Sequence, residues 1–137
     1  MKEQMMTLKT MSLAVVMAVF GAISTAEAHH SAAYIADFTK PIQVKGVLTT
    51  VKFINPHCEF RVDSKGADGK TVAWSFEGPP PVFFRQAGLK KDDFAKHIGE
   101  DVTVTTFANK MNAPTGFFKK IVYKDGKSFE MDFTPDR

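Results

Sequence analysis

Two short segments, His57–Asp63 and Thr71–Glu77, alternate apolar and polar side chains on either side of the turn-forming run Lys65-Gly66-Ala67-Asp68-Gly69. A strand's side chains repeat every second residue, so the alternation specifies a hairpin with one buried face. A one-residue slip would turn every apolar side chain out to water. Pairing about Ala67 sets Val62 opposite Val72, Phe60 opposite Trp74 and Cys58 opposite Phe76, which makes one apolar face. Arg61, Glu59 and His57 then meet Ala73, Ser75 and Glu77 on the other face. His57 and Glu77 become neighbours at the end farthest from the turn.

The rest of the chain fits around this hairpin. Ile42–Ile54 reads as a long preceding strand, with Gly46 marking a bulge or bend and Asn55-Pro56 ending it. Pro79-Pro80-Pro81 cannot continue a central strand but suits the first turn of a short helix over Val82–Ala87, stopped by Gly88. Asp92–Ile98 can add another helical turn. Asp101–Phe107 alternates as a fourth strand, and Asn109–Gly116 is a loop. Phe117–Tyr123 and Ser128–Phe133 form a hairpin around Asp125-Gly126. Three strands, a helix and further strands predict an all-β fold with one short helix, a small OB-like antiparallel barrel of five to six strands. An open antiparallel sheet with one helix is the alternative. Such a fold hosts many functions, so function must come from a site.

The N-terminal region carries a different signature. Lys2 and Lys9 precede an apolar run, Leu13–Ile23, and Ala26-Glu27-Ala28 offers small residues where a signal peptidase reads. The run is shorter than the roughly 20 residues that span a bilayer. Residues 1–28 are therefore expected to be a cleavable signal, 29–41 an arm and 42–137 the OB-like domain. The product would be periplasmic or secreted, with no stable membrane insertion after cleavage. A single cysteine, Cys58, excludes an internal disulfide, so a core rich in the chain's thirteen phenylalanines must hold the fold. The net charge of +3 is spread out, with only Lys90-Lys91 and Lys119-Lys120 as pairs, which argues against a nucleic-acid partner.

Cleavage after Ala28 would leave His29 first and His30 second. A terminal amine and its own imidazole can chelate one metal ion, and a second imidazole completes a set of three nitrogens. Such tetragonal nitrogen sites suit Cu(II), which also heads the divalent affinity order. His57 is the remote candidate, with Glu77 a ligand or an orienting partner. A functionless N-terminal segment, with His57 finishing the Asn55-Pro56 turn, is the plain alternative. His97 lies among lysines and aspartates and reads as a surface residue. Cys58 points away from His57 by strand alternation and reads as a buried small hydrophobe. Met111 offers a soft thioether in the loop, though a lone loop methionine is usually no ligand. Arg85 on the helix is a candidate partner for Glu77 or an anion. Tyr34, Phe38 and Phe53 fit a stacking platform less well than a core. No nucleophile has an evident base, and no phosphate-cradling glycine loop is present, so no catalytic residues are assigned.

His29-His30-Ser31, Lys45-Gly46-Val47, Asn55-Pro56-His57 and Trp74-Ser75-Phe76-Glu77-Gly78 leading to Arg85 together resemble a family of small exported bacterial proteins, domain of unknown function 6152. The likeness covers nearly the whole mature chain. It departs at Cys58, where an aliphatic residue is expected, and at the three prolines. The resemblance implies export and a barrel-like domain, and it implies no activity. The expected function is a small exported binding protein holding copper through His29, with His30 or His57 assisting. A metal-free module for a small ligand or a protein partner is the alternative, and a copper redox enzyme is less favoured because so short a chain leaves little room for a substrate face.

Overall fold

The computed structural model describes residues 35–131. The expected signal, His29, His30, Tyr34 and the last six residues lie outside them. Six strands form one mostly antiparallel sheet: β1 (Ala36–Phe53), β2 (Cys58–Lys65), β3 (Thr71–Glu77), β4 (Asp101–Asn109), β5 (Thr115–Tyr123) and β6 (Ser128–Glu130). Two short helices, α1 (Pro81–Gln86) and α2 (Lys91–Ala95), separate β3 from β4. One helix is expected from sequence; the second forms at the segment that reads as an added helical turn. There the Asp93 carboxylate accepts from the Lys90 backbone N–H at 2.8 Å and caps the first turn.

The strands run in the order β3-β2-β1-β4-β5-β6, and β3 also pairs with β5. The pairings β1–β2–β3–β5–β4–β1 therefore close into a ring, the all-β arrangement the sequence predicts. The closing seam is parallel and only three residues long: Ser75 opposite Thr115, Phe76 opposite Gly116, and Glu77 opposite Phe117. β6 takes the remaining part of the same β5 edge, pairing Ile121 with Phe129.

Two sequence expectations shift. Phe60 faces Phe76 and Val62 faces Trp74, so the β2–β3 register is displaced by two residues. A two-residue shift preserves which side chains share a face. The turn closes between Gly66 and Lys70, with Asp68 accepting from the Lys70 N–H at 3.0 Å and Gly69 at φ 77°. Only that positive φ lets the turn close tightly about Asp68. Next, β1 begins at Ala36 rather than Ile42. Pro41 is accommodated because the β1–β4 register slips between Ala36 and Pro41, where Thr39 donates to Asp37 from its backbone N–H at 3.1 Å and its hydroxyl at 2.6 Å. The expected bulge near Gly46 lies three residues on: the β1–β2 register changes between Leu48 and Thr50. Gly46 instead marks a close crossing of strands, with the Asp63 carbonyl standing where a side chain would begin.

The core fills the ring and is sealed at one end by the helices. Phe60, Phe76, Phe84, Phe94, Leu48 and Ile121 are buried. Phe60 stacks on Phe118 at 4.4 Å between ring centroids, while Phe84 of α1 and Phe94 of α2 both close on Phe53 and Phe129. Aromatic contacts at these separations add to the gain from area burial.

Candidate functional site

Alternation along β2 places Cys58 inside and sends the preceding residue out. Cys58 is fully buried, its backbone N–H donating to Pro79 and its carbonyl accepting from Gly78. Those two bonds tie the start of β2 to the end of β3. They bring the half-exposed His57 and Glu77 side chains together, with Nδ1 of His57 2.7 Å from Oε1 of Glu77. A carboxylate at Nδ1 favours the tautomer that carries its proton there, and Nε2 takes no part in this contact. The register shift makes this contact diagonal rather than directly cross-strand, and the pairing inferred from sequence survives it.

Glu77 stands opposite another carboxylate, Glu59. Like charges facing each other across a sheet repel, but Glu59 is neutralised by other partners. Arg61 donates to it through Nε, Ser75 donates its hydroxyl at 3.1 Å, and Lys52 lies 3.1 Å away. Partial burial pushes the Glu59 carboxyl up, yet these three donors outweigh it and hold the group below the usual carboxylate range. Glu77 is thus left to His57 while Glu59 serves the Arg61 side.

Glu77 also forms one wall of a groove of about 310 Å³, with Ile35, Ala36, Met111, Thr115 and Phe117 among its other lining residues. The loop after β4 is pinned to the start of β1 here. The Lys110 N–H donates to the Ile35 carbonyl at 2.8 Å. Asn109, nearly buried, donates to the Thr115 hydroxyl at 2.9 Å and accepts from the Met111 N–H at 2.7 Å. From sequence this stretch reads only as a loop; Asn109 six residues ahead of Thr115 is the available signal, since asparagine readily bonds nearby backbone.

Other candidates separate from the site. His97, a surface residue by its sequence surroundings, is largely covered: its side chain is 13% exposed, stacks on Tyr123 at 3.8 Å and contacts Glu100 at 2.8 Å. The covering ring arrives from β5, which local composition could not reveal. Phe53 joins the core, and Phe38 packs on Phe107 and Phe117 at 5.1 and 5.7 Å, so neither offers a stacking platform. Among the described residues, no group of three or more His, Cys, Asp or Glu side chains converges for a metal. Any site using His57 therefore needs donors from residues 1–34 or 132–137, or a donor of another kind.

Burial raises the Cys58 thiol to about 11, with the Arg85 charge a smaller opposing influence. At pH 8 about one part in a thousand is thiolate, and the residue is sealed from reagents. Ellman's reagent is expected to label no thiol in the folded protein and one per chain in denaturant. Rapid labelling without denaturant would refute the buried placement.

Residues 16–118 match the model of a family described as a family of unknown function, DUF6152. No curated protein and no solved structure matches the chain.

Proposed function

The chain belongs to DUF6152, a family that brings no activity with it, and from the chain's own chemistry we propose that it is an exported copper-binding protein whose mature N-terminus supplies the metal site. In this reading the signal is removed after Ala28, and the amine and imidazole of His29 hold Cu(II), with His30 or His57 as a further nitrogen. The observation that carries the reading is the oriented imidazole of His57, whose Nδ1 is engaged by Glu77 beside the groove that Ile35 lines. Ile35 lies six positions after His29. An extended chain of that length reaches up to about 20 Å, ample to span a groove of this size. Glu77 is the outer-shell carboxylate that commonly orients a metal-bound imidazole.

Cu(II) titrated into the chain starting at His29 should bind tightly, and into a chain with one added residue before His29 only weakly. Glu77→Gln should weaken binding by about tenfold, as outer-shell losses do. Equal affinity for the two N-termini, or none for either, refutes the terminal site. That result would favour the second reading, a metal-free module for a small ligand or a protein partner, which the same groove supports.

A further inference from the structure

We propose that the outer face of α1, with the β1–β2 connection beside it, is a docking surface for an anionic lipid bilayer. Among the described residues six large apolar side chains stand exposed, and three of them, Ile54, Val82 and Phe83, lie at this end of the ring. Backbone and core both place them there. The Cys58 N–H donates to the Pro79 carbonyl at 3.0 Å, which fastens the β1–β2 connection to the entry of α1. Phe53, just before Ile54, packs its ring on Phe84 at 4.9 Å between centroids. The helix buries Pro81 and Phe84 in the core, and the two residues between them, Val82 at 42% and Phe83 at 58% exposed, face water. Pro80 and Pro81 fix the backbone that enters this turn, so the pair is already ordered for a partner.

Exposed apolar side chains scattered singly mean little, and an apolar face alone names no partner. The charges around this one do. Arg85, one helical turn after Val82, and Lys90 and Lys91 at the entry to α2 are exposed and take no part in any ion pair among the described residues. Residues 81–96 carry four cationic side chains against two acidic ones, Asp92 and Asp93. Asp93 is already engaged as the α2 cap and by Lys96 at 3.9 Å. A bilayer with anionic headgroups matches both parts of this surface: apolar side chains enter the boundary between headgroups and acyl chains while the cations meet the phosphates. A protein partner matches it less well. A specific interface takes roughly 20–30 residues a side, whereas this surface is a six-residue helix and the four-residue connection between β1 and β2. No helix among the described residues is long and apolar enough to cross a membrane, so the contact is adsorption to one leaflet. It is independent of the metal site.

The test is sedimentation of the chain starting at His29 with vesicles of phosphatidylcholine alone, or of equal parts phosphatidylcholine and phosphatidylglycerol. That chain keeps every described residue and omits the apolar run Leu13–Ile23, which would itself bind lipid. It should bind the mixed vesicles, less so as salt is raised, and should not bind phosphatidylcholine. Phe83→Ser should lower the affinity by about tenfold, and Lys90→Gln together with Lys91→Gln by about twentyfold. Phe83→Trp should hold it, since tryptophan suits the membrane interface. Lys45→Gln with Lys124→Gln removes the same charge from exposed lysines on a different groove, and should lower it by no more than about twofold. All these positions are exposed, and an unchanged melting temperature verifies that each variant is folded. Any of three results overturns the assignment. Failure of the unsubstituted chain to bind mixed vesicles leaves this face to a protein partner. An equal loss in the two lysine pairs makes the attraction a matter of net charge alone. An affinity unmoved by Phe83→Ser means that α1 does not enter the bilayer.

Discussion

Phe60→Ala is expected to lower the unfolding free energy by about 3–5 kcal/mol, the range for deleting a buried aromatic side chain. Phe60 is fully buried and meets four rings: Phe118 at 4.4 Å, Phe94 at 5.3 Å, Phe84 at 6.0 Å and Phe53 at 6.3 Å. Two of these belong to the helices and two to strands. Their positions are set by the backbone, so they cannot collapse into the space left behind, and the cavity adds to the lost transfer free energy. Domains of this size have about 5–15 kcal/mol in total, so the variant should be marginal at 37 °C. Urea denaturation reads the loss as a lower midpoint at unchanged slope. A loss below about 1 kcal/mol would mean that the helices do not seal the ring against this side chain.

Gly46→Ala should also destabilise, by about 3 kcal/mol, at the upper end of ordinary overpacking. The sign is the informative part, because alanine in place of glycine within a strand is ordinarily favourable by about 0.5–1 kcal/mol. Here a Cβ would lie 2.2 Å from the Asp63 carbonyl oxygen and 2.8 Å from Cγ1 of Val62. Gly46 pairs with Val102 of β4 on one side, and its neighbour Val47 pairs with Asp63 of β2 on the other. With a strand on each side, β1 cannot move away from the new methyl group without breaking a ladder. Thermal unfolding of Gly46→Ala beside the unsubstituted protein checks this, and an equal or higher midpoint would refute the close crossing.

The parts of the fold legible in the sequence are those fixed by local periodicity. Alternation in β2 and β3 assigns Phe60, Val62, Trp74 and Phe76 to one face correctly, because parity does not depend on where the turn closes. The register itself is not legible, since Lys65–Gly69 offers more than one closing geometry. Residues 36–41 are hidden as strand because Pro41 interrupts the pattern and the pairing that orders them comes from β4, some seventy positions later. The β3–β5 seam is non-local and parallel, and nothing in either strand alone announces it. The His57–Glu77 contact is legible because two breaks, Asn55-Pro56 and the proline run, bracket it. The bond that ties Lys110 to Ile35 is not, as it joins segments far apart in the chain.

The groove lies directly over the seam: Ser75 and Glu77 come to it from β3, and Thr115, Gly116 and Phe117 from β5. Three paired residues are a slight fastening for a ring otherwise joined by long ladders, and segments so lightly held are where proteins open first. Whatever rests in the groove touches both sides of that joint and acts as a rivet across it. Occupancy and the integrity of the ring are then thermodynamically linked, because a ligand that binds only the closed form stabilises it in proportion to its concentration. A ligand that binds this groove and not the unfolded chain should therefore raise the melting temperature as its concentration rises.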